Sequence, residues 1–128
     1  MEVLVNNDIT KITYSAKLNC VAVNWNGYCC GDHYRQVLDD TLQIVALKKA
    51  TKLLVNQSAK DIFYLDDTRW SLEDWYPRLI NLLGDKGKLA VVFSKRHNTL
   101  GLREGNTGWR ITNRFFTSIR EAIYWLSQ

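Results

Sequence analysis

Between residues 18 and 45 the hydrophobic period of the chain switches once, and that switch constrains the fold more than any other feature. Leu18, Cys20, Ala22 and Asn24 alternate with Val21, Val23 and Trp25, so a strand here has one strongly apolar face and one mixed face. From residue 32 to about 49 the spacing becomes three and four, which puts Tyr34, Val37, Leu38, Thr41, Leu42 and Val45 on one face of an amphipathic helix. Asp32 at its start and Lys48 and Lys49 at its end suit the helix dipole. Residues 52–56 are again short and apolar. Strand, helix and strand in that order predict a right-handed crossover between parallel neighbours.

The remaining segments extend this pattern. Residues 11–15 and 18–27, separated by Ala16 and Lys17, read as an antiparallel hairpin at the front of the domain. Cys20 then falls inside a strand, as a small packed residue. A second helix is expected from about 71 to 83, with Ser71 and Asp74 in capping-box spacing and Leu72, Trp75, Tyr76, Leu79, Ile80 and Leu83 as its buried stripe. Pro77 lies inside it and predicts a kink or a late helix start. Residues 88–93 form the most continuous apolar run, which suits a strand covered on both faces. A glycine-bearing loop from 94 to 108, with one short helical turn, precedes a strand over 109–116. Ser118 and Glu121 then open a final helix through Leu126. The expected fold is a single α/β domain over residues 1–128. Its sheet is mixed and mainly parallel, of about five strands with an antiparallel N-terminal hairpin, flanked by three to four helices. A chain of 128 residues can bury such a core without staples.

The segment "NWNGYCCGDH", residues 24–33, concentrates two of the three cysteines and one of the two histidines. Cys29, Cys30 and His33 supply at most three good ligands where a structural zinc site takes four, and His97 has no sequence link to them. A Cys30–His33 nucleophile is the alternative, since a thiol at a helix N-terminus is activated. The third reading is a strand-to-helix turn, with Gly27 and Gly31 giving backbone freedom and Asp32 serving the first turn. The turn is the reading favoured here: no metal is assigned, and Cys30 is retained as a candidate reactive thiol.

Other chemistries find little. Adjacent carboxylates at Asp39–Asp40 and Glu73–Asp74 do not face each other on a helix. Asp66–Asp67 follows a strand and its connector, a frequent functional location in open α/β sheets, but helix entry is the favoured reading of Asp67 over general acid-base work. Gly101, Gly105 and Gly108 lack the spacing and lysine of a phosphate loop. Net charge is +4, with basic residues concentrated in the last third, including Lys95, Arg96, Arg103 and Arg110. The tryptophans fall at core or strand positions instead of interleaving with those charges, which argues against nucleic acid as a partner. An odd cysteine count with two adjacent argues against a disulfide framework. Without a membrane-length apolar run or a basic, apolar leader, the expected location is the cytoplasm.

Several features in order resemble the SpoIIAA-like, STAS/SEC14-type small proteins. They are Tyr14 and Leu18-Asn19 before a strand ending Trp25-x-Gly27, Tyr34-Arg35 on the first helix and Trp75-x-Pro77 on the second. Ala90-Val91-Val92 follows in the next strand, then Phe115 or Phe116 and Glu121-Ala122-x-x-Trp125-Leu126. The resemblance covers nearly the whole chain. It implies a mixed sheet flanked by helices, used for protein interaction, signalling and occasional small-ligand binding, with no cofactor and no catalysis. Regulated STAS members carry an Asp-Ser-Ser-Gly-like turn, and the nearest stretch here, Asp66-Asp67-Thr68-Arg69, lacks the serine pair and the glycine. A phosphate at Thr68 would meet Asp66 and Asp67, partly offset by Arg69, and phosphorylation at Thr68 or Ser71 stays open at this point. The expected function is a binding module for a protein partner or a second copy, acting through residues 60–76: Phe63, Tyr64, Asp66, Asp67, Thr68, Trp70 and Trp75. The aromatic residues either cap the core or line an apolar groove for a partner helix or a lipid-like ligand. A carrier for a small apolar ligand and a thiol enzyme using Cys30 and His33 are the alternatives.

Overall fold

The computed structural model describes residues 1–27, 29–59, 64–94 and 111–128. Among the described residues six strands form one sheet in strictly sequential order: β1 (Glu2–Asn6), β2 (Thr10–Ser15), β3 (Cys20–Asn26), β4 (Lys52–Ala59), β5 (Lys88–Phe93) and β6 (Thr112–Phe116). The β1–β2 and β2–β3 pairs are antiparallel; β3–β4, β4–β5 and β5–β6 are parallel. This is the expected mixed α/β sheet, with one more strand. The added β1 is an edge strand, half exposed, whose register slips between Val3 and Val5, so it carries no clean alternation to read. The front hairpin pairs Ile12 with Val23 as its apolar faces require.

Helix α1 (Gly31–Lys48) matches the expected span and ends with Lys49 in the left-handed conformation. The second helical segment differs more. It begins at Leu65, six residues before Ser71, and runs through α2 (Leu65–Trp70), one π-helical turn (Ser71–Trp75) and α3 (Tyr76–Leu83). Ser71 is therefore no N-cap. It lies inside the helix, and its hydroxyl donates to the Thr68 carbonyl at 2.8 Å. Nor does Pro77 start the helix late. In the π turn before it the Tyr76 N–H donates to the Ser71 carbonyl, five residues back, and this widened turn accommodates a residue that has no N–H to give. Helix α4 (Ile119–Leu126) opens as expected, with the Ser118 hydroxyl accepting the Glu121 N–H at 3.3 Å. The loop expected over 94–108 and the start of the strand expected at 109 lie almost wholly outside the described residues.

Sequential parallel strands joined by right-handed crossovers put their helices on one face. Accordingly α1 and the α2–α3 segment cover Val21, Val23, Trp25, Leu53, Val55, Leu89 and Val91, with Trp75, Leu79 and Leu38 in the same core. The alternate residues Cys20, Leu54, Ala90 and Val92 face the other way and meet Ala122 and Leu126 of α4. Strand β5 is thus covered on both faces, as its unbroken apolar run requires. Burial pushes the Cys20 thiol up to about 12, against lowering by Lys52 and by a backbone hydrogen bond at Leu54. No helix among the described residues is long and apolar enough to cross a membrane.

Candidate functional site

Strands β3 and β4 end beside each other, and the helices that follow them, α1 and α2, begin over that carboxyl edge. Open α/β sheets place ligands at this edge, where helix N-termini and connecting loops converge. Here Cys30, Gly31 and Arg35 from α1 and its approach meet Tyr64, Leu65, Asp66 and Asp67 from α2 around a cavity of about 390 Å³.

Asp67 joins the two helices. It belongs to the first turn of α2, where a carboxylate suits the dipole, and one oxygen accepts the Gly31 N–H at 3.0 Å, so the same charge serves the start of α1. The residue before that helix, Cys30, makes no side-chain cap. The other carboxylate oxygen is 3.9 Å from Arg35 Nε. With Asp67 only 6% exposed, these contacts fix the helix starts relative to each other. The Arg35 Nε is itself buried without a hydrogen-bond partner, a deficit on the order of 1–3 kcal/mol.

Behind this edge stands an aromatic stack. Trp25 and Tyr34 are stacked with centroids 5.2 Å apart, and Trp70 meets Tyr34 edge-on at 6.5 Å. Burial raises the Tyr34 hydroxyl to about 12; a hydrogen bond with Ser71 opposes this, and Asp67 and Cys29 add to it. The guanidinium of Arg35 lies 5.2 Å from the Trp70 ring centre, and that of Arg78 lies 5.9 Å from it. Arg78 also bridges Asp39 of α1 and Asp74 of the π turn at 2.8 and 2.9 Å.

The residues expected to act together from 60 to 76 separate into three groups. Tyr64, Asp66 and Asp67 line the cavity with Cys30. Thr68 and Trp70 sit behind it, half-buried; the Thr68 N–H donates to the Tyr64 carbonyl at 2.9 Å. Trp75 belongs to the core: it is fully buried, and its Nε1–H donates to the Leu38 carbonyl at 2.7 Å. Phe63 lies outside the described residues. Trp70 and Trp75 therefore pack inward, while Tyr64 lines the cavity together with Leu65 and the charged Arg35, Asp66 and Asp67. Ser71 is buried with its hydroxyl engaged.

Arg35 and Gly31 were not expected at this site. Nothing local marks them, because the carboxylate that engages both lies more than 30 residues further along the chain. Within the cysteine segment Gly27 and Gly31 both take positive φ, and Cys30 directly precedes α1. Cys29 is buried in the core, whereas Cys30 and His33 are exposed and make no hydrogen bond to each other. Among the described residues no three His, Cys, Asp or Glu side chains converge as metal ligands would.

Beside the cavity, α2 and the π turn expose two leucines. Leu65 is 71% and Leu72 49% exposed, about two turns apart, with exposed Asp66 and Arg69 between them. Comparison with family models, curated proteins and solved structures gives no match.

Proposed function

We propose that this protein is a non-catalytic binding module that recognises a protein partner through the exposed face of α2 and the π turn, a second copy of the chain being one such partner. The observation that carries the reading is the pair of exposed leucines, Leu65 and Leu72, on a helix whose opposite side is anchored by Asp67 and Trp75. A rigid helix presenting apolar side chains within a charged rim suits partner recognition, because little ordering entropy is lost on docking. The STAS-like resemblance of the sequence supports the same reading. On this view the module works in the cytoplasm without a cofactor. Arg35, Asp66 and Asp67 put charge on the cavity wall, which disfavours a wholly apolar ligand, and Cys30 makes no hydrogen bond to His33, the base a thiol enzyme would use.

The test combines affinity capture with light scattering on the wild type and on a Leu65→Asp/Leu72→Asp double variant. Leu47→Asp, at a leucine 76% exposed on α1, is the control. The expected result is a partner or self-association that the double variant loses and the control keeps. Catalytic turnover in an activity screen, together with no partner and no self-association, overturns the reading.

A further inference from the structure

Two arginines lie over the Trp70 ring, and their polar surroundings differ. Arg78 is paired through Nη2 with two carboxylates, those of Asp39 and Asp74. Arg35 has one acidic neighbour, Asp67, at 3.9 Å, which is too long for a hydrogen bond. Among the described residues its terminal nitrogens make no hydrogen bond, its side chain is 40% exposed, and it lines the carboxyl-edge cavity. The guanidinium is thus held from behind by an aromatic face and a buried carboxylate, while its outer donors stay available. An arginine fixed in this way is a pre-organised fork for a carboxylate.

A simple anion is a poor occupant, because Asp66 and Asp67 line the same cavity. A simple cation is opposed by Arg35. A ligand carrying both charges meets neither penalty. Tyr64 and Leu65 complete the wall with aromatic and aliphatic surface, and a volume of about 390 Å³ is within the range of small-molecule sites. We propose that the cavity binds a free α-amino acid with an apolar side chain. Arg35 takes its carboxylate, the exposed Asp66 takes its ammonium, and its side chain lies along Tyr64 and Leu65. The site shares Leu65 with the leucine strip but not its occupant: a chain that captures no protein can still bind this ligand.

The experiment is a ¹H–¹⁵N NMR titration of the full chain with L-phenylalanine and L-leucine. Two further titrations use 3-phenylpropionate, which lacks the ammonium, and phenethylamine, which lacks the carboxylate. Saturable shifts of the Gly31, Leu65 and Asp66 amides and of the Arg35 Nε–H are expected with the amino acids. Each single-charge analogue should bind about tenfold more weakly or worse, as should Arg35→Lys and Asp66→Asn, each removing one charge-assisted contact. Asp66 is exposed, so its variant retains the fold and a dispersed spectrum. No saturable shift with either amino acid overturns the proposal. So does equal binding of an analogue, or unchanged affinity in both variants.

Discussion

Asp67 is the residue whose removal should be felt at both helix starts. Replacing it with alanine leaves the Gly31 N–H without its acceptor and Arg35 without its counter-charge. The expected cost is about 2–3 kcal/mol in urea unfolding, the range for hydrogen bonds to charged groups. Asp66→Ala, one position away and exposed, should stay within about 0.5 kcal/mol. The contrast also marks how far single residues are legible from sequence. A carboxylate near the start of a helix can be read locally, and Asp67 was; its partners cannot, since Gly31 and Arg35 reach it only once β3 and β4 pair. Cys30 was a candidate as a thiol at a helix start, Tyr64 as an aromatic in a connector and Asp66 as a carboxylate after one, and all three line the cavity. Trp75 was read both on the buried stripe of its helix and as a binding candidate, because an aromatic on a helix after a connector serves core and surface alike, and it lies in the core.

At the scale of elements, two serine-led boxes with the same spacing had opposite outcomes. Ser118 follows β6, where the chain has left the sheet and no helix yet exists, so its hydroxyl is free to accept the Glu121 N–H. Ser71 follows α2, so its backbone is already helical and its hydroxyl turns back to Thr68. The helix start at Leu65 escaped notice because Tyr64, the residue before it, makes no side-chain cap. The π turn carries a prediction of its own. Deleting Glu73, which is exposed, should convert the turn to ordinary α-helix and rotate α2 by about 100° relative to α3, withdrawing Asp67 from Gly31. The deletion is expected to cost at least about 2 kcal/mol, against a near-neutral Glu73→Ala. Denaturant unfolding gives the energy, and faster hydrogen exchange at the Gly31 amide locates the break.

For the molecule as a whole, alkaline pH is the informative variable, because neutral ionisable groups are buried on both faces of the sheet. Cys20 rises from 9.0 to about 12 and Tyr34 from 10.0 to about 12, in both cases chiefly through burial, and Tyr76 is raised by burial as well. Each loses its proton more readily in the unfolded chain. Their contribution is therefore complete below about pH 9 and is lost as pH climbs through the window to about 12. Tyr34→Phe should reduce the loss of stability between pH 8 and 11 by about 1 kcal/mol, measured by urea unfolding at each pH. The mixed sheet was legible because the period switches and the unbroken 88–93 run are properties of buried strands. Strand β1 was not, since an exposed edge with a register slip leaves no such trace.

Each strand pairs with its immediate predecessor in the chain. A nascent chain leaving the ribosome can therefore extend the sheet one edge at a time, with no gap held open for a later arrival. The exception is the face beneath α4. Cys20, Leu54, Ala90 and Val92 are synthesised well before Ala122 and Leu126 that cover them, so this face waits for α4 to emerge, and a chaperone's grip would matter most there.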